Sequence, residues 1–136
     1  MNDRYAALLL AGAAVMAMSA NAYAQEGDAA AGEKVFRKCQ ACHAVGEDAR
    51  NKVGPQLNGV VGRMAAGVED YKYSKAAEEH AETTGEWDAD ELFAYLEDPS
   101  KFLGGRSKMA FKLRKEEDRR DVIAYLAQFN ADGSMK

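Results

Sequence analysis

The chain is poor in the residues that commonly brace or equip a small protein. It has two cysteines, two histidines, two prolines and one tryptophan among 136 residues. Two cysteines cannot build the multi-disulfide framework of a small secreted domain. A four-ligand zinc site is also short of members, because His80 stands far from Cys39, Cys42 and His43 and no further cysteine exists. No segment alternates apolar and polar residues for long enough to make a useful strand. The longest apolar run, Ala6 to Ala20, falls short of the roughly 20 residues needed to span a membrane.

That run has a different meaning. It is followed by Ala22-Tyr23-Ala24, a small-residue cleavage signature, and then by the polar Gln25-Glu26-Gly27-Asp28. Residues 1–24 therefore read as a cleaved secretory signal peptide rather than a retained anchor, and the expected location is the periplasm. Residues 25–136 then form one domain with a modest core.

The rest reads as helices joined by long loops. Asp28 caps a helix that carries Val35, Phe36 and Cys39 on one face, and Gly32 within it suits the close approach of another helix. Residues 46–67, rich in glycine, read as loop. Ser74 caps a short helix over Lys75 to Glu82. Asp88 with Glu91 resembles a capping box, and Leu92, Tyr95 and Leu96 follow at helical spacing until Pro99 stops the run after Asp98. Residues 100–111 read as loop. A last helix over Lys115 to Phe129 shows the stripe Val122, Tyr125, Leu126 and Phe129, and the tail beyond it reads as frayed. The class is all-α, with three main helices, short helices, and loops long enough to need a body to wrap around.

Cys39-Gln40-Ala41-Cys42-His43 supplies that body. C-x-x-C-H is a haem attachment sequence. Two thiols about a helical turn apart can each add to one haem vinyl group, and the adjoining histidine then lies beneath the iron. A thioredoxin-type site would want a βαβ context, which is missing; a plain disulfide or an unmodified pair stays open. His43 is the expected fifth ligand. For the sixth, methionine and histidine are the usual candidates. Met135 lies at the tail, Met64 in the glycine-rich loop, and His80 among Glu78, Glu79 and Glu82 on a polar helix, where a surface role is expected. Met109, in a loop between the last two helices, is chosen; its alternative is gap-filling in the core.

At this point the chain resembles class I cytochromes c, bacterial cytochrome c2 and the mitochondrial form above all. The resemblance runs from Gly27 to Phe129. It is carried by Cys39 to His43, Gly54-Pro55-Gln56-Leu57-Asn58-Gly59-Val60-Val61-Gly62-Arg63, Tyr71-Lys72-Tyr73-Ser74, Tyr95-Leu96-Glu97-Asp98-Pro99, Lys108-Met109-Ala110-Phe111 and Ile123-Ala124-Tyr125-Leu126. It implies the cytochrome c fold around one haem c held through Cys39 and Cys42, with His43 and Met109 on the iron. It further implies that the Pro55 carbonyl accepts from the axial imidazole, that Arg63, Tyr73 and Trp87 hold a haem propionate, that Tyr95 bonds near the methionine sulfur, and that Ser107 sits near a propionate. Gly32 and Phe36 would meet Tyr125 and Leu126 where the first and last helices cross. Ala77 departs from an asparagine common in mitochondrial relatives, and the loops are short for a cytochrome c2.

The activity implied is one-electron transport, not enzymic turnover. A cytochrome bc complex would supply electrons, and a photosynthetic reaction centre or terminal oxidase, in photosynthesis or respiration, would receive them. Nucleic acid is not an expected partner, and a monomer is expected. The formal net charge is −4, yet Lys38, Lys52, Lys101, Lys108 and Lys112 lie near the motifs, so a basic face with an acidic back at Glu78-Glu79 and Glu116-Glu117-Asp118 is expected. The alternative is a haem peroxidase or ligand-binding haem protein with an open axial position. The exported protein is expected to begin at Gln25. N-terminal sequencing or an intact mass checks this, and purified protein that keeps residues 1–24 overturns it.

Overall fold

The computed structural model describes residues 27–136, so the expected signal peptide lies outside the described residues. Five helices follow in order: α1 Ala29–Phe36, α2 Lys75–Thr84, α3 Ala89–Glu97, α4 Pro99–Leu103 and α5 Glu116–Leu126. Among the described residues there is no strand, only the isolated bridges Met64 to Glu86 and Phe129 to Met135. No helix among them is long and apolar enough to cross a membrane.

The helix starts follow their capping residues. The Asp28 carboxylate accepts from Ala30 N and Ala31 N, Ser74 Oγ from Ala77 N, and Asp88 from Glu91 N. The expected capping box is only half formed. The Glu91 side chain turns instead to Thr84 Oγ1, which ties the end of α2 to the start of α3. Pro99 does more than stop α3. As the first residue of α4 its missing N–H costs nothing, and Asp98 caps the new helix through Lys101 N at 3.2 Å. Residues 100–103, expected as loop, are therefore helical.

The domain is closed by the crossing of α1 and α5. A Cβ on Gly32 would lie 1.9 Å from the Asp121 carbonyl oxygen and 2.8 Å from Tyr125 Cβ, so only glycine lets the two backbones meet. Asp121, 8 % exposed, accepts from Asp28 N at 2.8 Å across the same crossing. Phe36 packs on Tyr125 with ring centroids 5.4 Å apart. Val35, Phe36, Leu92, Val122, Ile123 and Leu126 form the heart of the core, joined by Val60 and Leu113 from the loops.

The tail is not frayed. Asn130 N donates to Ser134 O, Lys136 N donates to Gln128 O, and Gly133 is buried so tightly against Gly46 that a Cβ would fall 2.2 Å from its carbonyl oxygen. Helix α5 itself ends three residues earlier than the stripe suggested. The chain tightens there, with Gln128 N reaching Tyr125 O and Phe129 N reaching Leu126 O.

Gly32→Ala separates two effects of opposite sign. Helix propensity favours alanine by about 1 kcal/mol, whereas overpacking against fixed backbone costs about 1–3 kcal/mol or more. The expected outcome is net destabilisation in denaturant unfolding of the holoprotein, and a stabilised variant would show that the helices do not cross here.

Candidate functional site

All ten residues singled out by sequence line one cavity of about 350 Å3: Cys39, Cys42, His43, Pro55, Arg63, Tyr73, Trp87, Tyr95, Ser107 and Met109. They arrive from α3, the Cys–His turn after α1, and the loops on either side of α2 and after α4. Core side chains Phe36, Leu92, Val122, Ile123 and Leu126 form part of the same wall.

The first turn beyond α1 is a continuous set of backbone bonds. Cys39 N reaches Phe36 O, and Cys42 N and His43 N both reach Cys39 O. This coil brings Cys39, Cys42 and His43 to one cavity wall. Both thiols are free, so the disulfide reading does not hold. Burial, offset in part by Lys38, raises the Cys39 thiol above its ordinary pKa.

His43 Nδ1 lies 2.7 Å from the Pro55 carbonyl oxygen. A carbonyl only accepts, so Nδ1 carries the proton and Nε2 keeps its lone pair. Burial, more than any other cause, holds the imidazole below its usual pKa; the Pro55 bond opposes it, and the Arg63 and Lys52 charges add to it. The ring is thus kept neutral, the form that ligates metals. A Cβ on Gly54 would lie 2.3 Å from His43 Cε1, so the loop lies flat against the ring.

Tyr95 Oη donates to Met109 Sδ at 3.6 Å. Burial raises the phenol's pKa, which keeps this donor protonated. Met109 N is held by Ser107 Oγ, and Ser107 N by Ser100 Oγ, each at 3.0 Å. Trp87 stacks against Tyr95 at 5.1 Å and His80 at 5.4 Å. His80 is therefore no surface histidine: its ring packs between Trp87 and Phe102, and its buried Nε2 has no partner among the described residues. The polar run Glu78, Glu79 and Glu82 masks this in the sequence, because His80 points off the opposite side of α2.

Arg63 Nη1 donates to Gln56 O and Asn58 O, while Nε is buried without a partner among the described residues. A buried, unsatisfied N–H on a cation is costly unless an acceptor meets it. With the hydroxyls of Tyr73 and Ser107 on the same cavity, the donor set suits a carboxylate-bearing apolar guest, as a haem is. Tyr73 Oη already accepts from Val68 N at 3.2 Å, and its proton remains to be given.

Asn58 was not singled out. It is 5 % exposed, pairs with both the N–H and the carbonyl of Gly46, and its carbonyl receives Arg63. In sequence it looks like one more turn residue; only its burial shows that it organises the loop. The expected lysine ring is also narrowed. Lys38 and Lys108 line the cavity, but Lys52, Lys101 and Lys112 do not. Lys112 pairs with Asp98 at 2.9 Å, and Lys38 pairs with Asp118 at 3.3 Å. One member of the expected acidic back therefore lies against the basic face.

Gly54→Ala is expected to force the imidazole away from Pro55 and to destabilise the holoprotein by about 1–3 kcal/mol. Denaturant unfolding checks this, and an unchanged midpoint would show that the loop can yield.

Comparison with known proteins points the same way. The cytochrome c family model matches residues 29–130. Cytochrome c2 iso-1 of Rhodospirillum centenum is 44% identical over 119 residues, covering 78% of this chain and 99% of that protein. Cytochrome c-550 of Ancylobacter novellus is 46% identical over 105 residues, covering 77% and 98%. The solved structure of cytochrome c2 from Rhodospirillum centenum superposes with a TM-score of 0.74 at 44% identity, covering 76% of this chain and 99% of that one. With a motif-bearing cavity, a matching family model and relatives covered over nearly their whole length, the chain belongs to the cytochrome c family: an all-α electron carrier, not an enzyme, with one haem c bound covalently through Cys39 and Cys42.

Proposed function

We propose that the protein shuttles single electrons between membrane complexes in the periplasm, with His43 Nε2 and Met109 Sδ as the two groups that would hold the haem iron. The observation that carries this is the pairing of a neutral, Pro55-anchored imidazole with a Tyr95-anchored thioether in one cavity. When bound, the haem supplies a one-electron couple between ferric and ferrous iron.

The chain's own residues tune that couple. Pro55 fixes the tautomer and plane of His43 and raises its donor strength. The soft sulfur of Met109 and the apolar wall favour the reduced, less charged state and so a high potential. Arg63 Nε, Tyr73, Trp87 and Ser107 are assigned to the propionates, whose negative charge would otherwise be costly in this wall. Two protein ligands leave no position for dioxygen or peroxide, which disfavours the peroxidase and gas-binding alternative.

Export by residues 1–24 would deliver the chain to the compartment where a cytochrome bc complex donates and a reaction centre or terminal oxidase accepts. The mouth of the cavity suits brief docking. Val53 is 70% exposed and Phe111 41%, and both line the cavity. Lys52, Lys72 and Lys108 are exposed nearby, Lys108 bonding the Lys72 carbonyl and lying over Tyr71. Small contacts of this kind form short-lived complexes, with charge mainly setting the encounter rate.

The test is a spectrum and a rate. Ferric wild-type protein is expected to show the weak far-red band of sulfur ligation, and Met109→Ala to lose it and bind imidazole readily. Reduction by an isolated bc complex is expected to slow as salt rises. High-spin ferric wild type that binds cyanide at once would sink the carrier mechanism, and salt-independent rates would sink the docking face.

A further inference from the structure

Leu113 follows Met109 by four residues and is held from three directions. Its N–H donates to Leu96 O on α3 at 2.8 Å. Its neighbour Lys112 pairs with Asp98. The third hold comes from α5, where Arg119 Nη1 donates to Leu113 O at 2.9 Å and to Arg114 O at 2.7 Å.

Arg119 is an unusual residue to find there. It is 2% exposed, its guanidinium carbon lies 4.2 Å from the centroid of the Phe93 ring, and its Nε is buried with no partner among the described residues. Among the described residues it takes part in no ion pair. A buried cation without a carboxylate is costly. A cation near the start of α5 is also opposed by the helix dipole. An apolar side chain of similar volume could cover Phe93 without either cost. What the guanidinium alone adds is a charged donor that joins two successive carbonyls of the segment leaving Met109.

The other end of the loop is held by side chains, among them Tyr95 on the Met109 sulfur and the exposed Lys108 on the Lys72 carbonyl. Met109 N and Ser107 N are tied by serine hydroxyls two and seven residues away. The buried guanidinium and the backbone bond to α3 are therefore both at the downstream end.

We infer that Arg119 is a positioning residue for Met109, clamping Leu113 and Arg114 so that the methionine loop seldom opens. This rests on the reading of Met109 as sixth ligand. The geometry makes opening the loop require the loss of a buried charge-assisted hydrogen bond, so the clamp should show in the rate at which an outside ligand reaches the iron.

The experiment uses ferric holoprotein with imidazole as probe, following uptake by absorbance together with the far-red band. Arg119→Met keeps the stem on Phe93 and removes the clamp. Uptake is expected to rise on the order of tenfold, the weight of one charge-assisted hydrogen bond, while the far-red band persists without imidazole. Arg119→Lys, which keeps charge but not the fork, is expected to fall between. Asp28→Ala serves as a destabilised control that leaves the loop untouched, and its uptake is expected to stay near wild type. Wild-type uptake rates in both Arg119 variants overturn the inference. So does an equal rise in Asp28→Ala at a matched loss of thermal stability, since that assigns Arg119 to general stability. Should Arg119→Met yield no holoprotein, Arg119→Lys carries the same test. A wild type without the far-red band, with uptake unchanged by Met109→Ala, instead removes the ligand reading itself.

Discussion

The fold depends on keeping a large apolar cavity open through the middle of a small helical domain. Left unfilled, an apolar cavity of about 350 Å3 would forfeit the packing contacts of its wall. Filling by a covalently attached haem is therefore part of what stabilises the chain. Phe36, Leu92, Val122, Ile123 and Leu126 belong at once to the hydrophobic core and to the cavity wall.

Because the guest occupies the centre, the loops cannot be held by packing alone. Buried polar groups take over. Asn58 joins its loop to Gly46, Arg63 ties Gln56 and Asn58 together, and Arg119 secures the chain after Met109. Each of these satisfies backbone groups that irregular segments leave without a ladder partner. Each also places a donor or a ligand-bearing segment at the cavity, so the bonds that stabilise the loops also set the chemistry. The aromatic cluster of His80, Trp87, Tyr95 and Phe102 does the same on another wall, and links α2, α3 and α4 to the Met109 thioether through Tyr95.

Departures from the sequence-based expectations share a cause. His80 looked solvated because its neighbours along the chain are acidic, but it turns inward onto Trp87 and Phe102. The tail looked loose because it is polar, yet Gly133 seats against Gly46, 87 residues earlier in the numbering. Glu91 had the spacing of a capping box, but Thr84 at the end of α2 captured its carboxylate. In each case a contact with a distant segment outweighed a local preference.

What the residues alone determine here is local chemistry. The Cys39 to His43 spacing, the caps at Asp28, Ser74 and Asp88, the close approach at Gly32 and the stripe on α5 are relations among near neighbours, governed by sterics and helical period. Those sufficed to indicate the class and the covalent cofactor, whereas Pro55, Arg63, Tyr73, Trp87, Tyr95 and Ser107 were implied by the resemblance to class I cytochromes c. Tertiary structure decided which lysines reach the cavity mouth, that Asp118 shields Lys38, and that Asn58 and Arg119 are buried clamps. Burial and pairing depend on which surfaces meet after the chain has closed on itself, and no periodicity along the chain encodes that meeting.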